Sequence, residues 1–145
     1  MPYCLVYGSD AMVPFDNAAL EELARKADEA NCRLRITGYL SFQKRTNTFF
    51  QFLEGPREAV LELMDSISRD ERHKVFNRVD LGEQPTRMFP TWSMLYVTTD
   101  EFRTIEMEDV LELTLRSMRE QVFEPELIKQ MTSCIGQKLA AKLAV

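Results

Sequence analysis

The sequence predicts an α+β fold: a five-stranded mixed sheet with two helices on one face, followed by a C-terminal helical hairpin. Three observations predict it. Short apolar runs bounded by turn residues occur at Tyr3–Tyr7, Ile36–Phe42, Phe49–Leu53, Val75–Leu81 and Thr91–Thr98. Stripes of helical period separate the first run from the second and the third from the fourth. Two further stripes fill most of the chain after residue 98.

The first run leads into Gly8-Ser9, so a buried strand gives way to a loop. Asp16 can cap the following helix through its side-chain oxygen, and Leu20, Leu23, Ala24 and Ala27 recur on one face. Asn31 lies 11 residues past Leu20, about three turns at 3.6 residues per turn, and so shares the inward face at the helix end. The polar stretch Gln43–Thr48 reads as a hairpin connection. In the third strand Phe50 and Phe52 share one face, and Phe49, Gln51 and Leu53 the other. Gly55-Pro56 ends it, with Pro56 suited to a first helical turn, and Val60, Leu63, Met64 and Ile67 form the second helix's stripe. A loop containing Gly and Pro separates the last two strands, placing Trp92 and Met94 on the fifth. The order βαββαβ plus a strand is ferredoxin-like.

Residues 99–145 differ in character. Met107, Val110, Leu111, Leu115, Met118 and Val122 form one apolar face, Glu124-Pro125 interrupts it, and Leu127, Ile128, Met131, Ile135 and Leu139 form another. Such a helical pair either caps the domain locally or presents a contact surface to another copy or another protein.

Bulk properties narrow the function. At 145 residues, 45% hydrophobic and 28% charged, the chain suits one compact domain. A net charge of −5 argues against a nucleic-acid surface. No apolar run approaches the roughly 20 residues of a membrane span. The N-terminus lacks a basic and apolar leader pattern, so a cytoplasmic location is expected. Cys4, Cys32 and Cys134 are widely spaced, and His73 is the single histidine. Reduced thiols are expected and a zinc site is not.

The chemistry concentrates in a few polar residues at apolar positions. Gln51 is flanked by Phe49, Phe50, Phe52 and Leu53. A buried amide left unpaired costs about 1–3 kcal/mol, so a backbone group or a ligand must satisfy it. The same reasoning applies to the hydroxyl of Tyr7 and the amide of Asn31.

Tyr7-Gly8-Ser9, Asn31, Ile36-Thr37-Gly38, Phe49-Phe50-Gln51-Phe52-Leu53-Glu54-Gly55, Asp70-Glu71-Arg72-His73 and Phe89-Pro90-Thr91-Trp92-Ser93-Met94 together resemble the BLUF family, sensors of blue light using FAD. The resemblance covers roughly residues 1–98, a photosensor core, with residues 99–145 as a helical extension. It implies a non-covalently bound FAD, with FMN or riboflavin as possible substitutes, held between the two sheet-packed helices. Tyr7, Asn31 and Gln51 match the residues around the ring's polar edge. Leu23, Ala27 and Ile67 match those pressing on its faces. Asp70, Arg72 and His73 match those where the ribityl and phosphate part runs, Arg72 as a cation beside a phosphate. The chain contains no GxGxxG phosphate loop, so a Rossmann mode of binding is not expected.

The resemblance also implies a switch. The tyrosine matching Tyr7 gives an electron and then a proton to the light-excited flavin. After recombination the glutamine matching Gln51 bonds the flavin carbonyl differently. An amide exchanges donor for acceptor by rotation or tautomerisation with little movement of heavy atoms. An added donor on that carbonyl shifts absorption to the red. The change then biases Trp92 and Met94 and the C-terminal helices, with output to a downstream protein in trans and a homo-oligomer expected. No output enzyme fits in the remaining sequence. The chain departs from the family at Arg35, where glycine is common, at Glu71, where proline is frequent, and in a hairpin after Phe42 about two residues longer than usual. Two other readings stand beside this one: a small flavin oxidoreductase or acylphosphatase-like hydrolase, and a flavin-free regulatory subunit. Neither a nucleophile–base pair nor an arginine-bearing anion loop after the first strand supports the enzyme.

Overall fold

The computed structural model describes residues 1–143. Its elements run β1 (Tyr3–Ala11), α1 (Asn17–Leu34), β2 (Thr37–Gln43), β3 (Thr48–Gly55), α2 (Arg57–Arg69), β4 (His73–Glu83), β5 (Leu95–Val97), α3 (Thr99–Thr104), α4 (Glu108–Glu120) and α5 (Pro125–Leu143). The sheet has the order β4-β1-β3-β2-β5. Its pairs are antiparallel except β2 with β5, which is parallel. This is the expected α+β arrangement.

Local chemistry explains the helix ends. The carboxylate of Asp16 accepts the backbone N–H of Ala19 at 2.8 Å and caps α1. The helix closes on Arg35 in a left-handed conformation (φ 59°), whose N–H reaches the carbonyls of Asn31 and Cys32. Pro56 stands just ahead of α2, where its missing N–H costs no helical bond.

The core has two layers, one on each face of the sheet. Leu5, Leu20, Ile36, Leu53, Val60 and Met64 belong to the layer under α1 and α2. Val6, Phe50, Phe52, Phe102, Leu111 and Met118 belong to the layer under the C-terminal helices. All residues of β2 and β3 are buried, because both faces of these central strands are covered. The alternation along β3 is the expected one.

Three features differ from the sequence reading. β1 continues to Ala11, carried by pairing that reaches Ala11–His73. β5 is only three residues long, so Trp92 and Met94 precede it instead of lying on it. The backbone turns there: the Trp92 N–H bonds the Phe89 carbonyl at 3.3 Å, and the Trp92 carbonyl accepts from Gly38 at 3.0 Å. The tail contains a short helix, α3, ahead of the expected pair, started by Thr98 accepting the Glu101 N–H at 3.1 Å. Within the pair, the stripes of α4 and α5 are buried against the sheet, which is the local-cap arrangement. Val122 and Leu127 are exposed where the helices connect.

Candidate functional site

Tyr7 and Gln51 meet because the sheet register puts them directly opposite each other on β1 and β3. Both side chains point to the α1/α2 face and both are buried. The Tyr7 hydroxyl donates to Gln51 Oε1 at 2.5 Å. Burial, and secondarily the charge of Asp70, pushes the phenol pKa up from its ordinary value. Tyr7 therefore holds its proton throughout the physiological range. The amide N–H of Gln51 donates to Met94 Sδ at 3.2 Å, leaving Gln51 bound on both sides.

A cavity of about 130 Å³ opens beside this pair. Its walls are apolar: Leu23, Ala27 and Ala30 from α1, Leu63 and Ile67 from α2, and Phe15, Leu40 and Phe49 from the loop and sheet. Asn31 also lines it. That residue is 2% exposed, and its Nδ2 is buried without a partner. An orphaned buried donor at a cavity wall calls for an acceptor from a ligand. Asp70, Arg72 and His73 complete the lining. Asp70 is held down to about pKa 2 by hydrogen bonds from the Arg72 side chain and, more weakly, its backbone N–H. The ion pair itself is 2.6 Å long, with Arg72 half exposed.

A flat heteroaromatic with one polar edge fits this donor set. The walls suit its faces, and Asn31, Gln51 and Tyr7 offer a donor, an amide and a phenol to its edge. Arg72 places a cation at one end of the cavity, paired with Asp70.

The structure brings Tyr7, Leu23, Ala27, Asn31, Gln51, Ile67, Asp70, Arg72 and His73 around one cavity. His73 contributes its ring edge, centred 6.1 Å from Tyr7. Both its nitrogens are engaged, Nδ1 with Ser9 Oγ at 2.7 Å and Nε2 with the Ile67 carbonyl at 2.7 Å. Only a donor can face a carbonyl, so Nε2 carries a proton. The ring thus ties β4 to β1 and to the end of α2. Met94 reaches the site and Trp92 does not: Trp92 stacks on Phe89 at 4.5 Å in the layer on the opposite face. Sequence reasoning did not assign Ala30 to the site and gave Leu63 only as part of the α2 stripe, though Ala30 lies three residues past Ala27 and Leu63 four before Ile67. Phe15 and Ser9 carried no such signal, since loop packing and the β1–β4 pairing place them.

The sequence matches the family "BLUF: Sensors of blue-light using FAD" over residues 3–95. It is 31% identical over 115 residues to the photoactivated adenylate cyclase subunit beta of Euglena longa, covering 78% of this chain and 13% of that protein's length. Among solved structures it is similar to BlrB, a BLUF protein in its dark state, with TM-score 0.73 and 28% identity over 97% of this chain and 96% of that one. It is also similar to BlrP1 of Klebsiella pneumoniae, solved with FMN and cyclic diGMP, with TM-score 0.62 and 31% identity over 77% of this chain and 30% of that one. With most of its length matched, the chain belongs to the BLUF family of blue-light sensors that use FAD.

Proposed function

We propose that this chain binds FAD non-covalently in the cavity between α1 and α2 and signals by a light-driven rearrangement of the Tyr7–Gln51–Met94 hydrogen bonds. The observation that carries the reading is the buried 2.5 Å contact of Tyr7 with Gln51 beside a cavity wall holding an unpartnered amide donor. FMN or riboflavin would share the ring contacts and lose those of the diphosphate.

The flavin supplies blue-light absorption and an electron acceptor. Tyr7 would give up an electron and then its phenolic proton, for which Gln51 Oε1 is already in place as acceptor, and would take both back on recombination. Gln51 is the relay. Turning its amide withdraws the N–H from Met94 Sδ, breaks the acceptor contact with Tyr7, and redirects a donor within the site. Asn31 anchors the ring edge, Leu23, Ala27 and Ile67 press on its faces, and Asp70, Arg72 and His73 form the end toward the phosphates.

Output follows from position. Met94 immediately precedes β5, and β5 leads through α3 to α4 and α5. Loss of the Met94–Gln51 bond therefore acts on the segment entering the helical extension. Residues 1–98 form the sensing part and 99–145 the output part, which acts on a second copy or a downstream protein. The chain is a sensor without chemistry of its own on a substrate. No helix of the described residues is long and apolar enough to cross a membrane.

The test is an absorption spectrum of purified, FAD-loaded protein before, during and after blue light. A reversible red shift of the flavin band is expected. Tyr7→Phe should keep the flavin and lose the shift, and Gln51→Leu should keep the flavin and lose the normal photocycle. A full red shift in Tyr7→Phe overturns the assignment.

A further inference from the structure

Glu54 is a carboxylate where the fold could use an apolar residue. It is fully buried, the one acidic side chain so placed among the described residues. It lies three residues past Gln51 on β3 and faces the opposite side of the sheet. Oε1 accepts the Phe89 N–H at 2.8 Å and the Thr37 hydroxyl at 3.2 Å. Oε2 accepts the Met88 N–H at 2.9 Å. Arg87 Nη1 stands over the group, donating to Thr37 Oγ1 at 3.0 Å. Burial still pushes the carboxyl pKa up, against all of these donors. A buried charge of this kind is weak evidence for stability, and a role in fixing one arrangement is the better-attested use.

The arrangement it fixes is the approach to the Gln51 switch. Phe89 is buried and stacks on Trp92 and meets Tyr39 and Phe52 edge to face. Holding the backbone at Met88 and Phe89 keeps Trp92 on the far face of the sheet. Two residues further on, Met94 falls on the near face, its sulfur on the Gln51 amide.

We propose that Glu54 is a positioning residue of the photoswitch: its two oxygens clamp the Met88–Phe89 backbone and so present Met94, not Trp92, to Gln51. The inference rests on Gln51 being the relay, as proposed above. Its chemical basis is that the clamp needs two acceptors. Glutamine has the same shape with one acceptor, and its NH2 would face a backbone N–H.

The experiment compares FAD-loaded wild type, Glu54→Gln, and Glu54→Asp, which keeps two acceptors on a shorter stem. Three quantities are read: the light-induced red shift, the dark-recovery rate, and acrylamide quenching of Trp92, the single tryptophan, in the dark. Glu54→Gln should keep flavin and red shift, recover about tenfold faster, and show at least twofold altered Trp92 quenching. Glu54→Asp should fall between, and it carries the test if the glutamine variant does not fold. In a Met94→Ala background the Glu54 exchange should no longer change the recovery rate. Recovery and quenching like wild type, or an equal rate effect with and without Met94, overturns the proposal. A wild type with no red shift overturns the photosensor reading instead. Trp92 quenching without flavin then still judges the clamp.

Discussion

The two faces of one sheet are built to different rules. On the face under the C-terminal helices, aromatic and aliphatic side chains fill the space: Tyr39 stacks on Phe52, and Leu111 and Met118 are fully buried. On the face under α1 and α2 the packing stops short. There a cavity remains, a buried tyrosine and glutamine bond each other, and Asn31 keeps an unpaired donor. The comparison teaches where stability resides and where it has been given up. Both faces bury unpaired polar atoms, Tyr39 Oη and Thr132 Oγ1 on the first and Asn31 Nδ2 on the second; the second is set apart because its unpaired donor and its Tyr7–Gln51 pair line one cavity with apolar walls.

The largest effect that would break this comparison lies on the packed face. Leu111→Ala should destabilise the protein by about 2–5 kcal/mol, since a fully buried leucine leaves a cavity its neighbours only partly fill. Urea unfolding of the apoprotein measures it. Leu23→Ala borders an existing cavity and should cost well under half as much. Equal losses at the two positions would mean that the faces do not differ.

Much of this was legible in the sequence, and for a physical reason. The period-2 alternation of β3 assigns Phe50 and Phe52 to one face and Gln51 to the other, so a polar residue on a buried face stood out. Helical periodicity placed Asn31 on the inward face of α1 that Leu20 marks. The cross-strand register that brings Tyr7 to Gln51 was not readable, because registry is a property of two strands together. The side of the sheet facing Trp92 or Met94 was equally hidden. It depends on a turn held by Glu54 and Gly38, not on any local pattern. The short helix α3 did leave a signal in Thr98-x-x-Glu101, the pattern of a helix start.

Asn31 sharpens the comparison from the other side. On a face built only for stability, removing a buried side chain is destabilising. Here Asn31→Ala removes an unpaired buried donor, so apoprotein stability should change by less than about 1 kcal/mol. Affinity for FAD should fall about tenfold, equivalent to about 1.4 kcal/mol. Flavin titration and urea unfolding of the same samples read both. A large stability loss with unchanged flavin affinity would place Asn31 with the packed core.

The smallest effect asks whether the faces differ in backbone as well as in side chains. A helix on each face ends on a non-glycine residue in the left-handed region: α1 on Arg35 (φ 59°) and α4 on Gln121 (φ 55°). That conformation costs an L-residue about 1–2 kcal/mol. Glycine removes the cost, but it loses more entropy on folding. Arg35→Gly and Gln121→Gly should therefore each stabilise by about 0.5 kcal/mol, seen as parallel rises in urea midpoint. Both side chains are exposed, so neither exchange should alter the red shift. Equal gains would confine the difference between the faces to what their side chains leave unfilled or unpaired. A gain at Gln121 with a loss at Arg35 would instead mean that the α1 terminus, four residues past Asn31, is held in its strained form by the site it borders.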